Sequence, residues 1–115
     1  MALFRIRTVL EELEARLRPP ASAGRSTAVG KSERKRYGDH EERLKVRAHR
    51  LPVADGTVVE VVISGTVVAE LTAQRGDVRL DFSSKERQVP AVSKGDSVEL
   101  RVGGQPLLAG SYGPD

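Results

Sequence analysis

The run from Thr57 to Leu71, Thr-Val-Val-Glu-Val-Val-Ile-Ser-Gly-Thr-Val-Val-Ala-Glu-Leu, is the densest stretch of β-branched residues in the chain. Branching at Cβ stiffens χ1 and suits a pleated backbone better than a helix. The run is broken once, at Ser64-Gly65, where a hairpin would turn. Everything else must pack around this hairpin, so its register matters. An odd loop, Ser64-Gly65-Thr66, collects Val59, Val61, Ile63, Val67, Ala69 and Leu71 on one face. Val58, Glu60, Val62, Val68, Glu70 and Thr72 fall on the other. A two-residue turn mixes the sets, because a slip of one residue exchanges faces. The odd loop separates polarity better and is the expected one. It sets Glu60 across from Glu70, a small penalty, and leaves Val58, Val62 and Val68 in need of a second cover.

The flanking sequence continues in strands. Ser32 to Tyr37 leads into Gly38-Asp39, and Leu44, Val46 and Ala48 then alternate with Arg43, Lys45 and Arg47. That alternation is the mark of a strand with one face on a core and one in water. Val78, Leu80 and Phe82 repeat it, as do Val98, Leu100 and Val102, and a last strand runs from Leu107 to Tyr112. Turn residues separate these runs every 8 to 12 positions. The expected fold is mainly β, about seven short antiparallel strands in a small sandwich or barrel. With 3% aromatic residues, its core must be aliphatic.

The N-terminal segment reads differently. Leu3, Ile6, Leu10, Leu13 and Leu17 recur at spacings of three and four, with Val9 widening the stripe. Glu11, Glu12, Glu14, Arg16 and Arg18 take the opposite face, and Pro19-Pro20 ends the run. The spacing predicts one amphipathic α-helix over 1–18, a linker over 19–31, and the β domain over 32–115. Such a short helix is marginal alone, so its stripe must be buried. It lies on its own domain, on a partner or on a second copy; its polar face is not basic enough for a membrane surface. The partner-binding residues are then Leu3, Ile6, Val9, Leu10, Leu13 and Leu17.

Charge is concentrated. Residues 25–50 hold nine Lys/Arg against four Asp/Glu, whereas residues 51–115 hold six against nine. On a hairpin the basic side chains would share a face, and Lys31, Arg34, Lys35, Arg36, Arg43, Lys45 and Arg47 are the candidate contacts for nucleic acid or another polyanion. The competing view is an edge hairpin whose charges discourage aggregation. Tyr37 is the nearest ring for base stacking.

Other chemistry is thin. Gly24 to Ser32 ends like a phosphate-binding loop, but five residues separate its glycines where that motif needs four. His40 and His49 lack ligands at metal spacing. Asp39, Asp55, Asp77 and Asp96 each adjoin a glycine, as turns require. Ser83, Ser84 and Ser93 have no base in a recognisable motif. The expectation is a non-enzymatic structural or interaction module without cofactor or metal, a homo-oligomer or partner-bound through the helix. The chain has no Cys, no apolar run of the roughly 18 residues needed to span a bilayer, and no signal-like h-region. It reads as cytoplasmic, with an exported location left open.

Leu44-Lys-Val46, Leu51-Pro52, Gly56-Thr57, Val59, Val61, Gly65, Val89-Pro90-Ala91-Val92, Gly95-Asp96-Ser-Val98 and Leu108-Ala-Gly110 form a recurring pattern of turns and core positions. With them, residues 42–112 resemble a small β domain found, often repeated, in uncharacterised bacterial proteins. The resemblance implies a β fold, no assigned catalytic residue, and a tendency to export from which the missing signal sequence departs. It does not reach the N-terminal segment.

Overall fold

A strand whose every second side chain is apolar buries one face and wets the other. A computed structural model of the chain describes residues 8–114. Among the described residues are nine strands: β1 (Val9–Leu17), β2 (Val29–Tyr37), β3 (Glu42–His49), β4 (Val58–Ile63), β5 (Thr66–Thr72), β6 (Val78–Ser83), β7 (Ser97–Val102), β8 (Gln105–Ser111) and β9 (Gly113–Pro114). They form two antiparallel sheets. Sheet A has the order β6-β3-β2-β1-β9 and sheet B the order β5-β4-β7-β8. Between them lies an aliphatic core. Leu44, Val46, Val59, Val61, Val98, Leu100 and Leu108 are fully buried in it.

The expected N-terminal helix is absent: among the described residues there is no α-helix, only a 3-10 turn at Ala21–Ala23. The segment is strand β1 instead. Leu13, Ala15 and Leu17 point into the core, while Glu12, Glu14 and Arg16 point out. Leu13 and Leu17 fit a period of two as well as a helical stripe, and Ala15 supplies the missing middle position. Pairing with β2 and core burial outweigh local helix preference. Val9 and Leu10, beside a register shift, stay exposed. Leu3 and Ile6 lie outside the described residues. The described members of the stripe are therefore split: Leu13 and Leu17 lie in the core, Val9 and Leu10 in solvent.

The central hairpin combines both register alternatives. Ile63 faces Thr66 across a two-residue turn, with Ser64 at φ 48 and Gly65 at φ 80. Positive φ at both turn positions matches the twist of the flanking strands. The register then shifts opposite Val61 and Val62, restoring the phase of the odd loop. Val59 and Val61 face Leu71 and Ala69, and Glu60 faces Glu70. The shift pairs Val67, not Val68, with Val62 on the outer side. Val62 is buried there, Val68 packs partly on the core, and Val58 remains exposed.

The two sheets are tied together along one side. Beyond β1, Arg18 and Ala109 exchange backbone hydrogen bonds of 3.0 and 2.9 Å. After β8 the chain passes through Tyr112 into β9, which pairs with β1. Tyr112 is buried, its hydroxyl 2.6 Å from Ser32 Oγ, and Ser32 donates in turn to the Lys45 carbonyl at 3.2 Å. Burial raises the Tyr112 hydroxyl pKa above its ordinary 10.0, against the opposing hydrogen bond from Ser32. The folded state therefore resists ionisation that the unfolded chain permits. The contribution of Tyr112 to stability is full below pH 10.0 and is lost as pH rises through the raised value. Lys31 and Lys35, also raised, lose their contribution at alkaline pH as well. Urea midpoints are expected to fall above about pH 10, and Tyr112→Phe should flatten that fall at a cost of about 1 kcal/mol at neutral pH. Parallel curves for the two proteins would show that Tyr112 has no part in it.

Candidate functional site

Strand order places side chains that no local pattern connects. On sheet A, Arg16 of β1 faces Lys31 of β2, Lys31 faces Arg47 of β3, and Arg47 faces Arg79 of β6. All four are exposed. They make one row of cations across four adjacent strands. At about 4.8 Å between strands the row spans roughly 14 Å. Two residues along each strand lies a second row, Glu14, Glu33, Lys45 and Asp81. A third holds Glu12, Lys35 and Arg43. The outer face of sheet A is thus banded: one band purely cationic, the next mainly acidic.

The acids claim part of the basic set. Lys31 Nζ lies 3.4 Å from Glu14 and 3.0 Å from Glu33, and Lys35 Nζ lies 3.4 Å from both Glu12 and Glu33. Arg43 reaches both oxygens of Asp81, at 3.1 and 3.3 Å. Burial pushes the Glu33 carboxyl up, but hydrogen bonds and charge from Lys31 and Lys35 outweigh it and hold it below its ordinary value. Hydrogen bonding and charge from Glu33 in turn raise Lys31. For Lys35, burial acts downward and is outweighed by Glu12 and Glu33. Arg16 Nε is 3.8 Å from Glu14. Lys45, Arg47 and Arg79 have no ion-pair partner among the described residues.

Of the seven basic residues expected to share a face, the structure gathers five: Lys31, Lys35, Arg43, Lys45 and Arg47. Alternation removes the other two. Arg34 is buried on the inner side, where Nε donates to the Pro90 carbonyl at 3.0 Å and a terminal nitrogen lies 3.3 Å from Glu42. It anchors the segment between β6 and β7. Arg36 lies 3.7 Å from Glu11. Sequence reasoning missed Arg16, assigned to a helix, and Arg79, whose place beside Arg47 depends on β6 joining β3.

Three open depressions follow the cation row. One of about 420 Å³ is lined by Glu14, Arg16, Arg18, Ser111, Gly113 and Pro114. Another, about 240 Å³, lies between Lys31, Arg47 and His49. The third, about 540 Å³, lies between Arg47, Arg79 and Thr72. His49 and Asp77 also line the third. His49 Nδ1 is 3.2 Å from Asp77 at its margin. Tyr37 ends β2 six residues from Lys31, about 20 Å along the strand.

Other chemistry finds no constellation. No group of three or more His, Asp or Glu is placed to hold a metal ion among the described residues. Ser83 donates to Glu41 at 2.5 Å, both buried; this pair holds a loop and presents no nucleophile to solvent. No helix among the described residues is long and apolar enough to cross a membrane. No protein-family model and no curated protein matches the chain.

Proposed function

We propose that the chain is a non-enzymatic binding module that takes an extended polyanion, first of all the phosphate backbone of duplex nucleic acid, along the row Arg16, Lys31, Arg47 and Arg79. The row itself carries the proposal. Like charges directly opposite one another in a sheet are destabilising, and an anionic ligand lying across them removes that penalty. Arg47 and Arg79 are the centre of the contact, because no acid among the described residues neutralises them. Backbone recognition fits better than base recognition: among the described residues no Phe, Tyr or Trp shares a cross-strand position with the row to stack on a base.

The test is fluorescence anisotropy of a labelled 20-base-pair DNA duplex, titrated at several salt concentrations. Three to four phosphate contacts predict log K falling with log salt at a slope of about −3. Affinity should be indifferent to base sequence, and an acidic polysaccharide should compete. A slope near zero, or no binding at low salt, defeats the proposal.

A further inference from the structure

We infer that β5 is a docking edge for an extended segment in which basic and apolar residues alternate, added as a further strand of sheet B. Edge strands expose a row of unpaired backbone groups, and proteins usually guard them with charge, proline or a covering element. The other edges are guarded. β6 carries Arg79 and Asp81, β8 is tied to Arg18, and β9 has two residues. β5, Thr-Val-Val-Ala-Glu-Leu-Thr, has one charge, no proline and no buried residue. Its shift at Val67 and Val68 disturbs only the turn end. Just beyond β5, Ala73 donates to the Thr57 carbonyl at 2.9 Å. By antiparallel alternation Leu71 and Ala69 bond inward to β4, and the backbone groups of Glu70 and Thr72 point outward.

The side chains define the occupant. On the inner face, Ala69 and Leu71 are half-buried, whereas their partners Val61 and Val59 are fully buried. Apolar residues on an added strand would complete that cover. On the outer face, Glu70 stands directly opposite Glu60, and neither has an ion-pair partner among the described residues. Arg101, opposite Glu60 on β7, is held by Glu99 at 2.5 Å instead. A cation opposite Glu70 would relieve this acidic pair. A second copy of β5 supplies none: pairing about a two-fold axis at Ala69 sets Glu70 against Val68.

The probe is a blocked peptide copying residues 43–49, Arg-Leu-Lys-Val-Arg-Ala-His, added to the full chain and followed by amide chemical shifts. Shifts are expected on Thr66–Thr72 and Glu60, and Glu70→Lys should weaken binding at least tenfold. The same variant should come to prefer a peptide with Glu at the three basic positions. A peptide N-methylated at every second amide cannot join a ladder and should not bind. Four results would overturn the proposal: shifts confined to the outer face of sheet A, indifference to Glu70→Lys, retained binding of the methylated peptide, or β5 shifts that track protein concentration and a doubled mass.

Discussion

Replacing Arg47 and Arg79 together by glutamate is expected to lower affinity for duplex DNA on the order of a thousandfold at low salt. Each basic residue near an anionic surface contributes about 1 kcal/mol. Double reversal removes two such contributions and adds two repulsions of similar size. About 4 kcal/mol at 1.4 kcal/mol per decade gives the stated factor. The salt slope should shrink by about two, since two phosphate contacts disappear. Fold stability should barely change. Both side chains are exposed, and the reversed pair still faces like to like, so the effect should stay within about 0.5 kcal/mol. Equal loss from Arg34→Gln and Arg36→Gln would place the contact elsewhere, because neither residue lies on the banded face. Isothermal titration with thermal melts of each variant separates lost contact from lost fold.

Gly110→Ala should be the most destabilising single-methyl addition of those considered. A Cβ at Gly110 would run into the Arg16 carbonyl oxygen, with Leu17 Cδ2 at 3.1 Å. That carbonyl belongs to backbone and cannot swing aside as a side chain would. Moving it displaces β1 from β8, where Arg18 and Ala109 hold the sheets together. Overpacking of this kind costs about 3 kcal/mol, or roughly 10–20 °C of melting temperature in a domain of this size. Gly113→Ala is the matched control: its Cβ meets nothing within 4 Å and its φ is not positive. Urea unfolding of both proteins checks the contrast; equal midpoints would mean that the two strands do not approach so closely.

How much of this was legible in the sequence varied with the range of the signal. Leu44, Val46 and Ala48, or Val78, Leu80 and Phe82, announce strands locally because every second residue is apolar and the intervening ones are charged. β1 was not legible in this way. Leu10, Leu13 and Leu17 satisfy a helical seam, and the competing set Leu13, Ala15 and Leu17 differs from it by one small residue. Only the presence of β2 as a partner decides between them. The candidate site shows the same division. Lys31, Lys35, Arg43, Lys45 and Arg47 share a face by alternation alone. Arg34 looked like one of them because the run Arg34-Lys35-Arg36 is conspicuous as charge, although its parity sends it inward. Arg16 and Arg79 join the row only through strand order, which local sequence does not encode.

The closure of β1 on β8 and β9 also bears on how the molecule is made. Arg18 meets Ala109, a partner roughly 90 positions away. Loop closure over such a distance must come before its contacts can reward it, so folding should be slow, in the millisecond-to-second range of β topologies rich in non-local pairing. On the ribosome, β1 emerges before β8 and β9, and meets its second neighbour, β9, only when both have followed. Until then the inward side of Leu13 and Leu17 lacks its final cover, and nascent chains are most vulnerable to misassociation during that interval.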